Sequence, residues 1–157
     1  MNDWDNELFD SITNSLLKKV REFHHTIKGF DKAPSAVQKA NENIKNANLD
    51  EYISIEEGNF FDSEKNNEGK LHIVFNPPYD ERLNIQMEDF YKNIGDTLKK
   101  NYPNTNAWFI TANLEALKFV GLKPSRKIKL FNASLEARLV KYEMYEGSKR
   151  TKFQVVE

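Results

Sequence analysis

Apolar side chains recur at Phe9, Ile12, Leu16, Val20 and Phe23, a spacing of three to four that lines one face of a helix from about Asp5 to Phe23. Glu7 near its start and Lys18, Lys19 and Arg21 near its end suit the helix dipole. The period then changes. TIKGFD reads as a short strand ending at Asp31, after which Pro34 opens a helix carried by Val37, Ala40, Ile44 and Ala47. YISIEE is a second strand closed by Gly58, and the polar run DSEKNNEGK is a loop. LHIVF is a third strand. It must stop at Pro77 and Pro78, because proline has no N–H to give to a sheet ladder.

Beyond the prolines, Met87, Phe90, Ile94, Leu98 and Tyr102 mark a helix that ends before Pro103, and AWFIT is the fourth strand. Asn113 is placed to cap a short helix, LEALKFV, which Gly121 closes. RKIKLFNASLEARLVKYEMY reads as two strands joined by a tight turn around Asn132 to Ser134. Strands alternating with helices predict an α/β fold, a mostly parallel sheet with an antiparallel hairpin at its end. Residues 1–146 are expected to make up that domain and 147–157 a loose tail.

The composition narrows the possibilities without choosing among them. A length of 157 residues suits one domain, and 39% hydrophobic with 30% charged residues permits a packed core and argues against disorder. No apolar run approaches a membrane span, and the acidic start MNDWDNELFD is wrong for a secretory signal, so a cytoplasmic protein is expected. The absence of cysteine removes disulfides, thiolate metal sites and a cysteine nucleophile, and three scattered histidines predict no metal site. A net charge of -1 leaves no global signature of nucleic-acid binding. Any such contact is therefore local. Arg82 and the cluster Lys123, Arg126, Lys127 and Lys129, with Lys149, Arg150 and Lys152, would reach phosphates only if folded toward the active end; the ordinary reading is a solvated face.

Candidate chemistry concentrates where strands end, because ligands of open α/β sheets bind at the carboxyl ends of strands. Those ends carry Asp31, then Gly58 with Asn59, then Asn76 with Tyr79. The two prolines stiffen the last turn and would hold the Asn76 amide and the Tyr79 ring in nearly fixed relation.

FNPPYDERL resembles motif IV of the class I S-adenosylmethionine (SAM) methyltransferases that modify exocyclic amino groups of bases. With GFDKAPSAVQKANENIKNANL and the long run from FYKNIGDTLKK to KYEMYEG, the chain from about Ile27 to Glu146 is similar to the THUMP-associated RNA methylase family. Within it the chain looks like the bacterial 23S rRNA guanine-N2 methyltransferases of the RlmL type, relatives of which carry the label N6-adenine-specific DNA methylase. The resemblance implies a Rossmann-like sheet, SAM as cofactor and 23S rRNA as partner.

It also implies roles. The Asn76 oxygen and the Pro77 carbonyl would accept the hydrogens of the base amino group and aim its nitrogen at the methyl donor, with Pro78 stiffening the turn. Tyr79 would stack on a base taken out of its helix. Asp31 would bond the cofactor ribose, and Gly58, Asn59 and Phe60 would meet its adenine. The sequence departs from the family in three places. Asn59 stands where an aspartate is common and Asp80 where a glycine is, and the six glycines are scattered singly, so no glycine-rich turn is present. That turn, the first strand and a THUMP domain are expected to precede these residues in a longer enzyme. The alternatives are adenine-N6 methylation of DNA or RNA, and a non-catalytic remnant acting as an RNA or protein interaction module. In a remnant the strands flanking the missing one would be left exposed or would pair directly.

Overall fold

The computed structural model describes residues 4–78, 84–132 and 134–146. It divides into two compact units, residues 1–57 and 58–157.

The first unit contains α1 (Asn6–Leu17), β1 (Ile27–Asp31), α2 (Pro34–Asn46) and β2 (Ile53–Glu57). Asp5 caps α1, its carboxylate accepting the Leu8 N–H at 3.0 Å. The expected continuation of this helix to Phe23 is not made. The apolar stripe is exposed along its whole length, Leu16 at 58% and Val20 at 70%, so burial does not carry the helix past Leu17. α2 begins at Pro34 as expected. β1 and β2 pair in parallel from Ile27 with Ile53 to Asp31 with Glu57. Asn41 of α2 ties the helix to the sheet: its amide donates to the Ile55 carbonyl at 2.8 Å and accepts from the Ile55 N–H at 3.2 Å. None of the described residues in this unit is buried.

The second unit holds the core. Its four-stranded sheet has the order β3, β4, β6, β5, formed by β3 (Leu71–Phe75), β4 (Thr105–Thr111), β6 (Leu135–Met144) and β5 (Arg126–Asn132). β3 and β4 are parallel, and β6 runs antiparallel to both β4 and β5, so the expected hairpin is present. β1 pairs with β2 in the first unit's sheet and β3 with β4 in the second's. Helix α3 (Asn84–Asn101) packs Met87, Tyr91, Ile94, Leu98 and Tyr102 against Ala107 and Phe109 of β4 and Val140 and Tyr142 of β6. The predicted Met87, Ile94, Leu98 and Tyr102 are buried, while Phe90 is only partly buried at the core's edge and Tyr91 is fully buried in its stead. The short helix expected before Gly121 is a 3-10 turn, Ala116–Val120, and Gly121 leaves it at φ 64, a left-handed conformation suited to glycine.

Candidate functional site

Parallel pairing from Leu71 with Thr105 to Phe75 with Phe109 brings the carboxyl ends of β3 and β4 to the same side of the sheet. Asn76, Pro77 and Pro78 follow β3 there, with trans peptide bonds. Pro77 is buried while Asn76 and Pro78 are exposed, so the turn is anchored by one proline and presents its asparagine outward. The strand behind it is braced by aromatic rings. Phe75 stacks on Phe60 at 5.2 Å between centroids and lies 5.0 Å from Phe109.

The same ring pair joins two segments that are distant in sequence. Phe60, next to Gly58 and Asn59 in sequence, packs on Phe75, the residue before the 76–78 turn. Phe60 also stacks on Tyr102 at 5.7 Å and belongs to the edge of the hydrophobic core. Asn59 shapes its own turn: its oxygen accepts the Phe61 N–H at 3.3 Å and its amide donates to Asp62 at 2.5 Å. A carbonyl oxygen has a second lone pair, so acceptor capacity remains there.

Asp31 lies in the first unit at the end of β1, where its Oδ1 accepts the Ala33 N–H at 2.8 Å and shapes the entry to α2. The side chain is exposed, and this single bond leaves a carboxylate with acceptor capacity suited to a vicinal diol. Tyr79, Asp80 and Arg82 lie outside the described residues. Lys123, Arg126 and Lys127 are exposed, the last two on β5. No group of three or more metal-binding side chains occurs among the described residues, and no described helix is long and apolar enough to cross a membrane.

The sequence reading missed a buried polar pair beneath the carboxyl end of β4. Tyr91 and Thr111 share a hydrogen bond of 2.5 Å between hydroxyls, and Thr111 Oγ1 also accepts the Asn113 N–H at 3.0 Å. Asn113 in turn accepts the Ala116 N–H at 3.0 Å, the capping role expected of it. The signal for the pair is a threonine closing an otherwise apolar strand and a tyrosine hydroxyl on a core-facing helix stripe. A polar hollow of about 180 Å³ lined by Lys70, Asn104, Asn106 and Glu143 lies at the opposite, amino end of β3 and β4 and contains none of the expected site residues.

Residues 6–141 match the family described as UPF0020: RMKL-like, methyltransferase domain. Curated relatives include a Ribosomal RNA large subunit methyltransferase K/L from Hahella chejuensis, 29% identical over 90% of this chain and 20% of that protein. The protein of the same name from Syntrophotalea carbinolica is 31% identical over 75% of this chain and 17% of its own length. The chain thus spans about a fifth of the length of these relatives. Among solved structures, a possible methylase from Clostridium difficile 630 superposes with TM-score 0.77 at 26% identity, covering 92% of this chain and 39% of that one. SMU.472, crystallised in complex with SAH, superposes with TM-score 0.79 at 22% identity over 93% of this chain and 39% of its own, a likeness of fold.

Proposed function

The chain belongs to the RMKL-like methyltransferase domain family, and from that membership we propose that it is a catalytic-domain fragment of a SAM-dependent RNA methyltransferase acting on an exocyclic amino group, guanine N2 of 23S rRNA. The observation that carries this reading is the turn after β3: an outward-facing Asn76 on a strand end that Pro77 anchors and Phe75 braces. An aryl amine is a poor nucleophile because its lone pair is delocalised into the ring. Two fixed acceptors, the Asn76 side-chain oxygen and the Pro77 carbonyl, orient its nitrogen and draw on its hydrogens, which assists attack without a strong base. Tyr79 stacks on the extruded base, and Pro78 limits the freedom of the turn. Arg82, Lys123, Arg126 and Lys127 are assigned to RNA phosphates.

SAM, when bound, supplies a methyl group on a positively charged sulfur. The residues present fit part of that cofactor. Asp31 has the acceptor capacity for the ribose hydroxyls, and Asn59 keeps a lone pair for the adenine amino group, beside Gly58 and Phe60. The names of the curated relatives support an rRNA substrate.

The test has two stages. Calorimetric titration of the chain with SAM, with Asp31→Ala as control, is expected to show saturable binding lost in the variant; no binding by a folded chain overturns the cofactor assignment for these residues. Transfer from isotope-labelled SAM to 23S rRNA, followed by nucleoside mass spectrometry, is expected to yield N2-methylguanosine. N6-methyladenosine would instead move the substrate to adenine.

A further inference from the structure

The β5–β6 hairpin carries an exposed aromatic ring that fold stability does not explain. Phe131 is 62% exposed, and Leu135 and Leu130 beside it are 51% and 36% exposed. The register shows where they stand. Thr111, the last residue of β4, pairs with Arg138, and Arg138 pairs with Lys129, so Leu130, Phe131 and Asn132 run three residues past the end of β4. At about 3.3 Å per residue the tip overhangs the sheet by about 10 Å. β5 runs parallel to β3 and β4, because both β5 and β4 are antiparallel to β6. The overhang therefore lies at the carboxyl end of the sheet, the end that presents Asn76. Three interstrand spacings of about 4.8 Å separate β5 from β3 laterally, about 14 Å.

The charge of this element differs from that of the chain. Residues 123–138 hold five basic side chains, Lys123, Arg126, Lys127, Lys129 and Arg138, against the single acid Glu136, while the whole chain has net charge -1. Cross-strand pairing puts Phe131 and Glu136 on one face with Lys129 and Arg138. Glu136 binds both cations, Lys129 at 2.5 Å and Arg138 at 2.6 Å, and Lys129 Nζ lies 5.0 Å from the centre of the Phe131 ring. The ring is thus held in place by a cation and stays open to solvent. Lys127, two residues before Lys129 on the same face, and Arg126, on the opposite face, have no carboxylate partner among the described residues.

We propose that this overhanging hairpin is a single-stranded RNA contact in which one base stacks on Phe131 and the neighbouring phosphates meet Lys127 and Lys129. The inference rests on the RNA reading above and deepens it. An aromatic face beside a row of cations is the combination that binds unpaired nucleotides with little sequence preference, since every base has a face to stack. Its offset from Asn76 places this contact a few nucleotides from the base at the turn, so it holds the flanking strand of the target. Apolar residues on a projecting hairpin would equally suit a protein surface, but the five-to-one excess of basic side chains favours a polyanion.

The experiment is fluorescence-anisotropy titration of the full chain with a labelled single-stranded RNA 12-mer and with the matching duplex, at several salt concentrations. Phe131→Ala is expected to weaken single-strand binding about tenfold, within the range of one lost base stack, and to leave the salt slope unchanged. Phe131→Trp is expected to restore it, and the pair Lys127→Ala with Lys129→Ala to lower the salt slope by about 2. Equal affinity of Phe131→Ala and the unaltered chain overturns the stacking contact while leaving the RNA reading in place. Failure of the unaltered chain to bind RNA overturns both. Self-association by sedimentation that Phe131→Ala abolishes, with RNA binding intact, would make the tip a protein contact. Because Phe131 is exposed, thermal unfolding of Phe131→Ala and Phe131→Trp should match the unaltered chain, which separates a binding loss from a folding loss.

Discussion

Gly95 of α3 lies directly against the carbonyl of Val120, so close that a β-carbon on Gly95 would overlap that oxygen and approach Val120 Cγ1 at 3.3 Å. The glycine lets the helix touch the backbone of the 3-10 turn that precedes β5. Gly95→Ala gains helix propensity of about 1 kcal/mol but forces the helix and the turn apart, a clash with backbone that cannot rotate away. With a backbone clash at the upper end of overpacking costs, about 3 kcal/mol, the net expectation is a loss of about 2 kcal/mol in urea unfolding. Unchanged stability would mean that the turn shifts freely.

Tyr142 is 1% exposed and stacks on Phe109 at 5.6 Å, yet its hydroxyl has no hydrogen-bond partner among the described residues. Burial, followed by the nearby Tyr91, pushes its pKa up to about 12. Because burial disfavours the phenolate, the folded protein keeps a proton that the unfolded chain loses above the ordinary value of about 10, so stability is lost progressively as pH rises toward the folded value. Stability should therefore fall between about pH 10 and pH 12, and Tyr142→Phe should remove that contribution. At neutral pH the same variant is expected to be neutral or to gain up to about 1 kcal/mol, since a buried unpaired hydroxyl is deleted. Denaturant midpoints against pH for both proteins check this.

Acid acts on other residues. Hydrogen bonds from Lys129 and Arg138 hold the Glu136 carboxyl below its usual range, a bond from Lys141 does so for Glu143, and one from Lys118 for Glu115. A depressed carboxyl pKa contributes stability that is present above the ordinary value and disappears as pH falls through the folded one. Unfolding midpoints should drop as pH is lowered through the carboxyl range, and Glu136→Gln should flatten that slope. All three are surface pairs, so salt should weaken the effect.

Asn41 makes the two bonds to the Ile55 backbone described above, in a unit with no buried residue. Asn41→Ala removes both. Hydrogen exchange of residues 53–57 should speed up several-fold, matching about 1 kcal/mol of lost local protection, while exchange in β4 and β6 stays as it was. Equal acceleration in both units would show that they unfold together.

Asn76→Ala should leave SAM affinity unchanged and lower the rate of methyl transfer about 100-fold, the scale of a lost transition-state hydrogen bond. Asp31→Ala should do the reverse, weakening SAM binding and retaining turnover at saturation. A SAM affinity that falls with Asn76→Ala would contradict the division of roles.

Local patterns carried most of the secondary structure into view. Alternation in LHIVF, the prolines after it, Pro34 at the head of α2 and Gly121 at the end of its turn each act within a few residues, so their outcome is visible in the sequence. The end of α1 was not visible, because Val20 and Phe23 keep the helical spacing while Phe23 lies outside the helix with its ring 5.8 Å from that of Tyr52. Phe60 shows the same limit. Its partners were not visible either: the fold stacks it on Phe75 and Tyr102, which lie 15 and 42 residues further along the chain.

By itself the sequence determined where strands and helices begin, that an asparagine and two prolines close β3, and that the family is one of methyltransferases. The first two follow from backbone sterics and side-chain periodicity, which are properties of neighbouring residues, and the third from the resemblance of FNPPYDERL and its flanking runs to that family. Only tertiary structure decided which sheet edge each strand occupies, that Tyr91 bonds Thr111, that Gly95 touches Val120, and that Phe131 projects past the end of β4. Each of these depends on strand order and register, which are set by packing between residues far apart in the chain, and that packing has no local signature.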